Sequence, residues 1–249
     1  MSKLIQKLRE TYEGPVQSIG FRLSAASPAQ SMVMLMLLKE ADASEPTALE
    51  GVKVDAVLVR TDKVGKDALR GIAKFAGERP WGVWGKGGTH ETLRQLASQG
   101  SDFVVFDPQK TSAALTQIDG LGKVLKVDAE YKDMLLSAIA HMPVDAVLVE
   151  IEEKAQPSVT VHDLMLCRRV ANVTFRPLLV VVSPELSEED LRALWEAGAG
   201  GIVVRSDGIP SKDQIERLRQ IIGKLPSKRT KHFEGSNALL PKQASATSD

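Results

Sequence analysis

Hydrophobic residues in this chain gather into short runs separated by longer amphipathic stretches. Eight runs recur, at 17–22, 55–60, 81–86, 102–107, 124–128, 146–152, 178–183 and 201–206, and each ends in a polar or charged residue. Those ends are Arg22, Arg60, Lys86, Asp107, Asp128, Glu152, Ser183 and Ser206. Segments of helical pattern follow at 28–41, 65–78, 90–99, 111–118, 130–141, 161–170, 188–197 and 212–225. Eight strand–helix units in succession predict an α/β fold, a closed (β/α)8 barrel of parallel strands inside a ring of helices. A further stripe of Leu4, Ile5, Leu8 and Tyr12 predicts an extra helix over 1–13. That helix would close the amino-terminal end of the barrel or pair subunits.

Start and stop signals agree with this division. Thr89, Ser187 and Ser211 precede helices whose first turns carry Glu91, Glu188 and Asp213. A hydroxyl there accepts from free amide groups, and an acid suits the positive helix end. Gly100 and Gly198 stand where helices stop before the next strand.

The pattern also repeats at larger scale. Val54-Asp55-Ala56-Val57-Leu58-Val59 recurs letter for letter from Val144 to Val149, an offset of 90. The stretch from Arg79-Pro80 through Leu93-Arg94 and Gly100 has a later copy from Arg176-Pro177 through Leu191-Arg192 and Gly198, an offset of 97 for its first pair. Both shifts carry a strand onto the strand four places later, as expected of a barrel made of two half-barrels.

One run carries a second implication. Met32, Met34 and Met36 alternate with Val33, Leu35 and Leu37. Read as part of a helix over 28–41, this stretch is apolar all round, which predicts burial on two sides and hence a homodimer interface.

Composition narrows the function. A chain of 249 residues with 43% hydrophobic content supports one large core. The barrel is expected as a single domain over 1–226, with 227–249, a basic cluster and a polar Ser/Ala-containing end, as a disordered tail. With 32 basic and 32 acidic residues there is no bulk attraction to nucleic acid or to an anionic membrane, and neither is an expected partner. Nothing resembles a signal sequence, and the most apolar stretch, 32–38, is too short to cross a bilayer, so a cytoplasmic location is expected. Cys167, the single cysteine, excludes an internal disulfide and reads as a buried helical thiol. The histidines (His90, His141, His162, His232) are scattered, so no metal site is expected of them.

Strand parity locates the candidate chemistry. Outward barrel residues pack on helices and must be apolar, whereas inward residues near the carboxyl ends can be polar. Alternation then turns Arg60 and Asp62, Trp84 and Lys86, Asp107, Lys126 and Asp128, and Glu150 and Glu152 inward, with Arg22, Ser183 and Arg205 completing the ring. In such a mouth Arg22, Arg60, Lys86, Asp107 and Arg205 would bind substrate, and Lys126 would act as general base or Schiff-base nucleophile. Asp128 and Glu150 would move protons. Carboxylates alone could hold Mg²⁺ through Asp107, Asp128 and Glu150. Two turns could hold an anion: Gly87-Gly88 after Lys86, and Gly208 with the amides near Ser211.

The stretch from Arg176 to Asp207 resembles the last quarter of the phosphate-binding, aldolase-like group of (β/α)8 barrels, its Leu191-Arg192-Ala193-Leu194-Trp195-Glu196-Ala197-Gly198-Ala199-Gly200-Gly201-Ile202-Val203-Val204 following their common helix, Ala-Gly-Ala and strand form. That resemblance implies a phosphorylated metabolite or a flavin phosphate (FMN) held by turns after strands seven and eight, and aldol, lyase or isomerase chemistry. The chain departs from the pattern after strand seven, where Ser183-Pro184-Glu185-Leu186-Ser187 lacks glycine and carries an acid, and at Arg205, where the group has a small residue. The function expected is a cytoplasmic enzyme acting on a small carboxylated or phosphorylated metabolite. The alternative is a non-catalytic, dimeric binding or scaffold barrel.

Overall fold

The apolar run from 32 to 38 is a strand. The computed structural model describes residues 2–13, 30–39, 52–61, 66–85, 90–151, 159–205 and 210–226. Among them β1 is Val33–Lys39, not a helix, and the 17–22 run expected as strand one lies outside the described residues. The correction has a plain cause. Val33, Leu35 and Leu37 join the barrel interior, while Met32, Met34, Met36 and Leu38 join the layer beneath the helices. A parallel strand buried on both faces reads as a continuous apolar run, and period alone cannot separate it from a buried helix. The ground for a dimer through this segment goes with the helix.

The remaining elements follow the expected order. They are β2 Ala56–Arg60, α2 Lys66–Ala76, β3 Trp81–Gly85, α3 His90–Ser98, β4 Phe103–Phe106, a 3₁₀ helix Ala113–Gln117, and β5 Gly122–Val127. Then come α4 Asp133–Ile139, β6 Ala146–Glu150, α5 Val161–Thr174, β7 Leu178–Val182, α6 Glu188–Ala197, β8 Ala199–Arg205 and α7 Lys212–Lys224. Every neighbouring pair of strands is parallel, and β8 returns to β1, so the barrel is closed. Ser187 and Ser211 cap α6 and α7 with hydrogen bonds to the amides of Asp190 and Gln214. Gly100 and Gly198 take φ of 86° and 115° where α3 and α6 end, a conformation glycine adopts without strain. No helix among the described residues is long and apolar enough to cross a membrane.

The extra helix, α1 (Lys3–Glu13), closes the amino-terminal end. Leu4, Ile5 and Leu8 are buried with the inward residues of the strands. Three aspartates that enter alternate strands anchor it. Asp102 accepts from Ser2 Oγ (2.7 Å) and from the amides of Lys3 (2.7 Å) and Leu4 (2.9 Å), capping a helix start far away in sequence. Asp55 accepts from the Met34 amide (2.9 Å) and pairs with Lys7 (3.2 Å) of α1 and Arg219 (2.9 Å) of α7. Asp145, its counterpart in the repeat, accepts from the Lys123 amide (3.0 Å) and pairs with Arg9 (3.2 Å) of α1. The two copies of Val-Asp-Ala-Val-Leu-Val thus do the same work in each half: the aspartate ties the preceding strand's backbone to the closing helix.

Candidate functional site at the carboxyl-terminal mouth

Inward positions change character from bottom to top. Leu58, Val105, Val124, Leu148, Val181 and Val203 are fully buried in the interior, and the next inward residues along several strands are charged. Those are Arg60 on β2, Lys126 on β5, Glu150 on β6 and Arg205 on β8. Lys39 ends β1 with the same parity as Val33, Leu35 and Leu37, and sequence reasoning missed it because its strand was read as a helix.

The centre of the mouth is an ionic bridge across the barrel. β2 and β6 stand four strands apart, yet Arg60 Nη2 lies 2.8 Å from Glu150 Oε1. Arg205 Nη1 reaches the same oxygen at 2.7 Å. One carboxylate oxygen therefore receives two guanidinium groups. Trp84, buried on β3, lies under this bridge with the Arg60 guanidinium carbon 3.9 Å from its ring centroid. Such stacking holds a cation through the ring's negative face and keeps the guanidinium plane fixed. The bridge is partly open to solvent, with side-chain exposures of 41% for Arg60, 25% for Arg205 and 22% for Glu150.

A second cluster lies on the β4–β5 side. Lys126 Nζ is 3.0 Å from Asp128 Oδ1, and Asp107 pairs with Lys110 at 3.2 Å on the turn after β4. Tyr131 belongs here as well, held within a turn by its amide's bond to the Asp128 carbonyl (3.2 Å). Burial raises the pKa of its phenol above the ordinary 10.0, and the negative charges of Asp128 and Asp107 push the same way against a hydrogen bond from Gln109 and the charge of Lys126. The phenol therefore keeps its proton at neutral pH, near the charges of two carboxylates. Arg169 of α5 secures this turn, with its Nε 2.6 Å from Asp133 Oδ1 and further bonds to the carbonyls of Ala129 and Tyr131. Tyr131 was hidden from sequence reasoning because 130–141 reads as one helix, whereas α4 begins only at Asp133.

Of the other candidates, Arg22, Asp62, Lys86, Gly87, Gly88, Glu152 and Gly208 lie outside the described residues. Ser183 accepts from the Glu185 amide (3.3 Å) and shapes the turn after β7. At the start of α7 the Ser211 amide donates to Gln214 Oε1 (2.9 Å) and the Gln214 amide to Ser211 Oγ (3.2 Å), so those two amides are used within the cap. Among the described residues no three His, Cys, Asp or Glu side chains converge as metal ligands; Asp107, Asp128 and Glu150 each face a cation instead. Cys167 is buried on α5, and that burial, with Asp163 nearby, pushes its thiol up to about 12, so it stays protonated and unreactive.

No protein-family model and no curated protein matches the sequence. The fold does match solved structures. Variants of the tryptophan synthase alpha-subunit from the hyperthermophile Pyrococcus furiosus superpose with TM-scores of 0.59 and 0.58 at 15% identity, covering 76% of this chain and 96% of theirs. A third variant gives 0.55 at 14% identity over 77% of this chain and 96% of that one. The likeness establishes the closed (β/α)8 barrel fold.

Proposed function

We propose that the protein is an enzyme acting on a small anionic metabolite, carboxylated or phosphorylated, at the carboxyl-terminal mouth, with lyase or isomerase chemistry. The observation that carries this reading is the convergence of Arg60 and Arg205 on one oxygen of Glu150. Among the described residues that end or directly follow the strands, Lys39, Arg60, Lys126 and Arg205 stand beside Asp107, Asp128 and Glu150. An incoming carboxylate or phosphate has the same planar or forked oxygen geometry as Glu150 and can take its place on a guanidinium. Glu150 would then be released to accept a proton from substrate. Lys126, 3.0 Å from Asp128, would serve as base or as the amine that attacks a carbonyl, with Asp128 moving protons beside it. Tyr131 would donate to oxygen as negative charge develops there. The structural likeness to a subunit of tryptophan synthase, a barrel of the same build, is in keeping with lyase chemistry.

A second reading has its own support. Asp107, Asp128 and Glu150 each already face a cation, as in a barrel plug that needs no ligand. Native mass spectrometry of freshly purified protein, with an absorbance scan for flavin, separates the two. A bound mass of a few hundred daltons, lost on denaturation and missing from the Arg60→Ala/Arg205→Ala protein, is the expected result. A clean apo chain that binds neither phosphate nor small carboxylates more tightly than that double variant does would favour the non-catalytic barrel.

A further inference from the structure

Large apolar side chains are exposed in one part of the described surface. Met134, Leu135, Met142, Val161, Met165 and Phe175 are 88%, 55%, 39%, 73%, 66% and 61% exposed. All six fall between 134 and 175, on α4, on the link that follows it, and on α5 and its end. The two helices are packed neighbours. Arg176 joins their lower ends by donating to the carbonyls of Ala140 (2.9 Å) and Met142 (3.2 Å), and Arg169, past the middle of α5, pairs with Asp133 at the start of α4. These bonds fix the two helices, and with them a strip of exposed apolar side chains interrupted on α5 by Arg168 and Asn172. Cys167, Val170 and Ala171 of α5 face the barrel, while Val161 and Met165 face outward beside the exposed His162, Arg168 and Asn172. A helix on the rim of a barrel with an apolar outer side has a second surface to cover.

We infer that a second copy of this chain covers it, in a two-fold dimer through the α4–α5 faces. Three observations favour a copy over another partner. First, size: counting about 150–200 Å² for each fully exposed side chain, the strip offers on the order of 700 Å², close to the roughly 800 Å² per partner of a stable interface. Second, charge: the turn before α4 exposes Glu130 beside Lys132 and α5 exposes Arg168, whereas Asp133 and Arg169 already pair with each other. A two-fold axis that sets α4 of one copy against α5 of its partner brings Glu130 and Arg168 to the same seam on both sides of the axis. Third, the chain carries a formal net charge of +0, so two copies meet without long-range repulsion.

The test is sedimentation of the full chain. Wild-type protein should run as a dimer, and Met134→Lys/Met165→Lys should weaken association by about a hundredfold while leaving its circular dichroism and melting unchanged. A charge reversal on the other side of the barrel, Lys74→Glu on α2, should leave the dimer intact. A wild-type monomer at the highest soluble concentration, leaving the strip to residues 227–249 or to a different protein, overturns the inference, as does a dimer that the double variant leaves untouched. Peroxide footprinting needs no variant: Met134 and Met165 should oxidise more slowly at high protein concentration than at low, and equal rates would count against the dimer.

Discussion

The two ends of the barrel hold their charges in opposite ways. At the amino-terminal end Asp55, Asp102 and Asp145 each accept backbone amides as well as side chains, and Asp55 is only 9% exposed. At the carboxyl-terminal end Glu150 and Asp128 form their ion pairs with side chains at the rim, and Asp107, paired with Lys110, takes only the Gln109 amide of its own turn (2.9 Å). A carboxylate bound to backbone amides is fixed by the fold itself. One bound to the tips of arginine or lysine can exchange partners when those side chains rotate. The repeat shows the contrast within a single motif. Its two copies share the aspartate at the bottom, Asp55 and Asp145, and differ directly after their common end, where Arg60 and Glu150 carry opposite charges and bridge to each other. The bottom is built for closure and the top for contact with something else.

The largest effect should come from the best-anchored acid. Asp55→Ala strands the Met34 amide and removes the partner of Arg219 and Lys7, and should lower unfolding stability in urea by about 3–5 kcal/mol. Asp145→Ala should cost about half as much, since Asp145 is 29% exposed and its ion pair among the described residues is with the half-exposed Arg9. The pH dependence follows from charge. Burial alone would raise the Asp55 pKa, but Arg219, the Met34 amide, Gln30 and Lys7 outweigh it and hold the carboxyl below its ordinary 3.8. A depressed folded-state pKa means that this stabilisation is complete above 3.8 and fades as pH falls through the lower folded value. The stability gap between wild type and Asp55→Asn should therefore narrow below pH 4, and a gap that stays constant down to pH 2 would contradict the assignment.

A steric probe sharpens the same contrast with a somewhat smaller effect. A Cβ on Gly82 would lie 2.5 Å from the Phe103 ring and 2.6 Å from the Phe103 carbonyl oxygen, inside the lowest layer of the barrel. Gly82→Ala should cost about 2–3 kcal/mol in chemical denaturation because backbone has to move. Gly71, on the outer helix α2, has no atom within 4 Å of the same added carbon, and Gly71→Ala should be neutral or slightly stabilising. Equal effects at the two glycines would mean that the base of the barrel is looser than its packing implies.

Much of this frame can be read from residues. Alternation along 55–60, 124–128 and 146–152 places Arg60, Lys126 and Glu150 inward, and they are inward. Ser187 and Gly198 bound α6 at the expected residues. Two things escaped. The seven apolar residues before Lys39 contain no polar position, so nothing in their order distinguishes a doubly buried strand from a buried helix. The Glu150 bridge joins strands on opposite walls, and only the width of the barrel decides whether two long side chains meet. A sign of it was present nonetheless: Arg60 and Glu150 occupy matching positions of the repeat, and matching positions four strands apart face each other across the axis.

The smallest expected change in stability is at that bridge, and it separates the ends most cleanly. Glu150→Gln removes one charge from a partly exposed cluster whose arginines remain in reach of water, so urea stability should change by less than about 1 kcal/mol. Its effect on binding should be larger and of opposite sign to ordinary damage. With the internal carboxylate neutral, Arg60 and Arg205 lose the competitor for an external anion, and inorganic phosphate or a small dicarboxylate should bind more tightly by calorimetry, on the order of tenfold. Turnover, once a substrate is in hand, should fall, because the group proposed to accept its proton is gone. A Glu150→Gln protein destabilised as far as Asp55→Ala, with no gain in anion affinity, would make the top of the barrel a second structural plug and erase the distinction between its two ends.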